Sequence, residues 1–193
     1  MSSPIRNKRY RIVSYEEAIP SVKKIYDDTK KKFQLPFVLN WFKCQGDNPT
    51  LLAGNWAKLK STLMEGDIPK VLKQLIIYNV SKERGCDYCS KAHGIFVDSL
   101  SEEISPNKDF IVTENIYATI IPESYRIAVK VVTKAALHHA DITDSDFQEL
   151  EDAGFDYAEI QELMAQADLA NMLNTIADIS GIKIDSELIE VCS

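Results

Sequence analysis

Apolar residues recur along most of the chain at the three- and four-residue intervals of a helix face, and few stretches alternate with a period of two. The pattern predicts an all-α fold. Ser14 and Glu17 stand at capping-box spacing ahead of Val22, Ile25, Tyr26 and Phe33, which share one helix face, and Leu35-Pro36 ends that segment. Phe37 to Phe42 reads as a short apolar element. Asn48 before Pro49 pairs an N-cap with a proline at the first helical position and opens a helix whose Leu51, Leu52, Trp56, Leu59 and Leu63 point inward until Gly66. Asp67 and Pro69 repeat the start signal. Val71, Leu72, Leu75, Ile76, Tyr78, Asn79 and Val80 then make a helix that is apolar nearly all round, the mark of a buried one.

Residues 101–121 carry the weakest pattern: an acidic loop and a Val/Ile-rich stretch, Phe110 to Val112, that fits a strand or a short helix. Pro122 opens a helix with Ile127, Val131 and Ala135 on its face. A segment capped by Thr143 with Asp146 ends at Gly154. Asp156 with Glu159 caps a long final helix through Ile160, Leu163, Ala167, Leu169, Leu173, Ile176 and Ile179, stopped near Gly181. Ile68-Pro69 and Ile121-Pro122 begin two similar apolar helices, and seventeen residues after each proline stand Cys86 and His139. This is either an internal repeat with thiols in one half only, or two ordinary helices that begin at proline.

The buried helix runs into Glu83-Arg84-Gly85-Cys86-Asp87-Tyr88-Cys89-Ser90-Lys91-Ala92-His93. On a helix of 3.6 residues per turn, Cys86 and Cys89 lie about 60° apart and Cys89 and His93 are i,i+4 neighbours, so one stripe carries both thiols and the imidazole. Thiols at this spacing can close a disulfide if the first stands at a helix N-terminus, an entry that Gly85 suits. Only a thiolate attacks a peroxide or a disulfide, and a free thiol of pKa about 8.5 is mostly protonated at neutral pH. A helix N-terminus favours the anion by about 0.3–1 kcal/mol, less than one pKa unit, so a further group is needed. His93 is placed to be that group, as a base for the thiol proton or as an imidazolium beside the thiolate. Glu83 could orient or recharge the ring, whereas Asp87 opposes thiolate formation and belongs on the solvent side. Cys89 is the sulfur favoured to meet a peroxide and Cys86 its resolving partner, although the reverse assignment fits almost as well.

The same residues also fit two packed apolar thiols or half of a zinc site. No second Cys-x-x-Cys or spaced His pair completes a four-ligand shell, and the adjacent His138 and His139 diverge by about 100° on a helix. Cys44 reads as a packed thiol and Cys192 as a tail residue.

With 193 residues, 45% hydrophobic and 26% charged, the chain fits one domain over 1–193, with N-terminal helices in 1–66, the motif-bearing helical pair in 67–100 and C-terminal helices in 122–181. A net charge of -7 and a pI near 5.0 argue against nucleic acid or an anionic membrane as partner. The cluster Arg6, Lys8, Arg9, Arg11 and the run Lys30, Lys31, Lys32 read as solvated charge at a terminus and a helix end. No apolar run approaches the ~20 residues of a membrane span, and the N-terminus lacks a signal-peptide core. The expected location is the cytosol, where thiols stay reduced and a Cys-x-x-Cys is more often catalytic than structural.

Glu83-x-x-Cys86-x-x-Cys89-x-x-x-His93 resembles the active-site signature of the alkylhydroperoxidase D-like branch of the carboxymuconolactone decarboxylase superfamily. Softer similarities cover most of the chain: Tyr26-Asp27-Asp28, Leu35-Pro36, Asn48-Pro49, Asp146, Ala153-Gly154-Phe155, Asn174 and Ala177-Asp178. The resemblance implies an alkylhydroperoxidase D-like helical bundle, assembled as a homo-oligomer (dimer, trimer or hexamer). It implies a cysteine-based hydroperoxide reductase with no metal, haem or flavin of its own, a dithiol donor such as a lipoyl or thioredoxin-like protein, and a peroxiredoxin as a further electron acceptor. By position, Cys86 and Cys89 are the redox pair, His93 the proton-relay imidazole and Glu83 the motif carboxylate. Two positions depart from the pattern. Gln74 stands where some members have a relay glutamate, and an amide cannot accept a proton; Thr175 stands where many have an arginine. A non-enzymatic protein that changes its assembly on oxidation, and a lactone decarboxylase, are the alternative readings.

Overall fold

The buried helix ahead of the motif organises the architecture. The computed structural model describes residues 9–105 and 110–191. Among these residues the elements are α1 (Pro20–Phe33), α2 (Asn40–Lys43), α3 (Pro49–Leu59), a π-helical turn (Lys60–Met64), α4 (Lys70–Arg84), α5 (Asp87–Ser99), α6 (Glu123–Leu137), α7 (Asp144–Asp152), α8 (Tyr157–Ser180) and α9 (Ser186–Val191), with short 3-10 turns and no strand. Every residue of α4 from Val71 to Ser81 is buried, because α5, α6 and α8 all pack around it. Val71, Leu72, Leu75, Ile76, Ile77 and Val80 are each fully buried, and each such side chain gains about 1.5–3 kcal/mol by leaving water.

One charged residue lies within the buried stretch of α4. Lys73 is 1% exposed; its ammonium pairs with Glu162 of α8 and donates to the Glu65 carbonyl. The Glu162 carboxylate also accepts from the backbone amides of Asp67 and Ile68. It lies so close to Gly66 (φ 103°) that a Cβ there would collide with it. One buried ion pair thus ties the segment before α4 to α8.

Local signals explain most boundaries. Asn48 caps α3 by accepting from Leu51 N, and Thr143–Asp146 and Asp156–Glu159 close reciprocal capping boxes on α7 and α8. Gly85 and Gly181 end α4 and α8 in the left-handed conformation. Both α4 and α6 start directly after an Ile-Pro pair and contain 15 residues each. His139, however, begins a 3-10 turn where the first half has its motif helix.

The structure differs from the sequence pattern at five places. The Ser14–Glu17 box forms but closes only a turn, and α1 begins at Pro20, because proline disfavours helix in the residue before it. Leu51 faces solvent at 49% exposure. The α3 helix continues past Leu59 as the π turn rather than running regularly to Gly66. Phe110 and Ile111 are irregular backbone leading into a 3-10 turn at Val112–Glu114, so the Phe110–Val112 stretch forms neither a strand nor a regular helix. The last helix, α9, is not announced by any strong periodicity. Arg6, Lys8 and Cys192 lie outside the described residues.

Candidate active site

The end of α4 builds the entry to the motif. Cys86 N donates to Ser81 O (2.9 Å) and Gly85 N to Lys82 O (3.2 Å), the paired bonds of a Schellman cap, which the positive φ of Gly85 permits. The chain turns there, Cys86 becomes the N-cap of α5, and Cys89 falls in its first turn. Both thiols are reduced and buried, at 0% and 1% exposure. The Cys89 thiol is held well above its usual range, first by its hydrogen bond to Cys86 and then by burial. Behind the pair, Cys86 Sγ sits 3.9 Å from Asn174 O, and Ser81 Oγ donates to Asn174 Oδ1 (2.8 Å), joining α4 to α8.

His93 is buried, and its Nδ1 lies 2.6 Å from Gln74 Oε1. Burial pushes the imidazole down to about 3, so the ring is neutral at any physiological pH. Facing a carbonyl oxygen, Nδ1 carries the hydrogen and Nε2 the lone pair. Glu83 is exposed and accepts from Asn79 Nδ2 (3.0 Å), which also donates to Thr133 Oγ1 (2.9 Å). The structure therefore does not bring Glu83 to the imidazole; an amide occupies that place. Asp87 is exposed and pairs with Lys91, away from the thiols.

Cys89 and His93 open onto one cavity of about 30 Å³, lined almost wholly by apolar atoms from α1, α2, α3, the π turn, α5 and α8. Leu59 and Leu63, at and within the π turn, form part of its wall. That turn is held by Gln166 Nε2 on Thr62 O (2.9 Å). Tyr88, between the cysteines, fixes the opposite wall: its hydroxyl donates to Asp185 Oδ2 (2.8 Å) and accepts from Trp41 N (3.3 Å), while Asp185 Oδ1 accepts from Asn40 N (2.7 Å). Burial raises the Asp185 carboxyl above its usual range. Tyr88, between the cysteines, and Phe96, three residues beyond His93, lie near the motif by helical spacing, but no local signal brings Phe33, Trp41 or Asp185 to it; these arrive from distant elements. Among the described residues no group of three or more His, Cys, Asp or Glu side chains could hold a metal ion.

No protein-family model matches the chain, and no curated protein matches it by sequence. Solved structures do match. An uncharacterized peroxidase-related protein from Ralstonia eutropha JMP134, described as an alkylhydroperoxidase AhpD core, superposes with a TM-score of 0.79 at 20% identity over 97% of this chain and 96% of its own. A second uncharacterized peroxidase-related protein, from Silicibacter sp. TM1040, gives 0.76 at 22% identity over 97% and 96%. The debrominase Bmp8, without ligand, gives 0.74 at 19% identity over 99% and 98%; a variant of it is known in complex with 2,3,4-tribromopyrrole. The chain has the alkylhydroperoxidase D-like fold.

Within this alkylhydroperoxidase D-like fold, the two departures have structural counterparts. Gln74 is the hydrogen-bond partner of His93 Nδ1, and Thr175 accepts from Arg84 Nη2 (3.2 Å), whose Nη1 donates to Asn171 (2.6 Å). The motif arginine thus binds α8 directly. No helix among the described residues is long and apolar enough to cross a membrane.

Proposed function

We propose that this chain is a dithiol hydroperoxide reductase that works in a reducing, cytosolic setting. The observation that carries the reading is the cavity onto which Cys89 and His93 both open, with the Cys86 sulfur in hydrogen-bond reach behind Cys89. A hydroperoxide in the cavity meets Cys89, and because the thiol is held high and the ring low, the thiol proton passes to His93 Nε2 only as the sulfur–oxygen bond forms. The sulfur attacks the distal oxygen, the O–O bond breaks, and the leaving alkoxide takes a proton to become the alcohol. Cys86 then attacks the sulfenic acid, releasing water and forming the Cys86–Cys89 disulfide. An external dithiol, such as a lipoyl or thioredoxin-like protein, restores the pair by exchange, and a peroxiredoxin is a further candidate for its electrons. Glu83, held on Asn79, has no role in these steps.

The test is stopped-flow consumption of t-butyl hydroperoxide with dihydrolipoamide as donor. Cys89→Ser and Cys86→Ser each lose turnover by at least about 100-fold, as expected for a nucleophile and its resolving thiol. Turnover that survives in Cys89→Ser refutes the reading. An oxidation-dependent change in assembly size without peroxide consumption favours a non-enzymatic role.

A second reading draws on the apolar cavity together with the likeness to a debrominase. A dithiol supplies two electrons, so a carbon–bromine bond and two S–H groups can be exchanged for a C–H bond, hydrogen bromide and a disulfide. Bromide release from a small bromoaromatic, without peroxide consumption, favours this chemistry.

A further inference from the structure

We infer that Phe33 and Phe96 are the door of the thiol cavity, and that together with its lining they restrict the site to uncharged molecules with a compact or apolar reacting end. The inference rests on Cys89 as the reacting sulfur. Among the described residues lining the cavity, only Phe33 and Phe96 are partly exposed; the others are buried. Any molecule approaching Cys89 from solvent therefore meets these rings first. Their centroids are 5.6 Å apart, and the Phe96 ring in turn stands edge-on to His93 at 6.2 Å. Phe33 is the last residue of α1, braced against Phe42 and Trp56. Phe96 follows His93 by almost one turn on α5, so the door is mounted on the same helix as the chemistry.

The interior offers a charged visitor no opposite charge. Apart from the lone pair on His93 Nε2 and the Cys89 thiol, its polar groups are already engaged: the Tyr88 hydroxyl with Asp185 and Trp41 N, the Trp41 indole N–H with Leu173 O (3.1 Å), and His93 Nδ1 with Gln74. Among the described residues no cationic or anionic side chain lines the space. An ion entering it sheds its hydration without a replacement partner, whereas a neutral molecule of equal size does not. With the rings as they stand, about 30 Å³ holds roughly two waters' worth of matter. The peroxide end of a substrate fits, and a bulkier body needs the rings to part.

The test reads access without requiring turnover. The reduced full-length chain is treated with neutral methyl methanethiosulfonate or with its sulfonatoethyl and trimethylammonioethyl analogues, and adduct formation on Cys89 is followed by peptide mass. The neutral reagent is expected to modify Cys89 about 30-fold faster, or more, than either charged one. That ratio is expected to shrink at least about tenfold in F96A and F33A, which open the door, and to be retained in F96L and F33L, which keep an apolar plug at lower risk to folding. Equal rates for all three reagents in the wild-type chain, or a ratio that neither alanine variant changes while near-ultraviolet circular dichroism matches wild type, overturns the inference. A chain that consumes no peroxide yet keeps this selectivity refutes the reductase reading and leaves the door in place.

Discussion

Replacing Gln74 by glutamate tests how the buried imidazole handles protons. The substitution puts a carboxylate where an amide oxygen now stands 2.6 Å from His93 Nδ1. Opposite charges centred about 4 Å apart attract by about 4 kcal/mol at an effective dielectric near 20. At about 1.4 kcal/mol per pKa unit, that moves His93 from about 3 to roughly 6. Burial also opposes ionising the new carboxylate, so the two groups titrate as a pair. In the wild-type chain the ring is neutral well below pH 5, and the pH–rate profile has no limb from it between pH 5 and 8. In Gln74→Glu an acid limb appears near pH 6, because a protonated ring cannot accept the thiol proton. At pH 8 the more basic ring accepts it more readily and the rate rises by about an order of magnitude. The assay pairs the peroxide pH–rate profile with ¹⁵N ring shifts of His93. A variant with unchanged profile and unmoved shifts refutes the claim that Gln74 governs this imidazole.

Two further outcomes follow from the buried polar groups. His93 is neutral when folded but takes a proton in the unfolded chain below its ordinary value of 6.5. The unfolded state therefore binds the extra proton, and stability falls as pH drops from about 6.5 towards 3, by up to about 1.4 kcal/mol per pH unit; urea unfolding of wild type and His93→Gln across pH 4.5–7 should show the slope reduced in the variant. Lys73→Met leaves the Glu162 carboxylate of α8 without its buried cation and should cost about 3 kcal/mol in denaturant unfolding; a loss under about 1 kcal/mol would mean that the two backbone amides on Glu162 suffice.

The all-helical class, the buried α4, the proline and asparagine starts, the two reciprocal caps and the glycine stops could be read along the chain because each depends on residues within one or two turns of each other. So could the clustering of Cys86, Cys89 and His93, a matter of helical spacing alone. The start of α1 was harder: a capping box and a proline competed over Ser14–Pro20, and the proline prevailed through the steric restriction on Ile19. The π turn at Lys60–Met64 was not readable at all, since the bonds that reach it come from Gln166 on α8 and Asp28 on α1.

What the sequence by itself determined is the stripe of two thiols and an imidazole behind a glycine-capped helix end, because backbone geometry over eleven residues fixes it. What only the tertiary structure decided is the company that stripe keeps. Glu83, ten positions away, belongs to Asn79, and Gln74, nineteen positions away, belongs to His93. Rings from α1 and α5 cover the thiols. Which side chain meets the imidazole depends on how α4 and α5 rotate against each other as their apolar surfaces pack, and that rotation is set by α6 and α8, far along the chain.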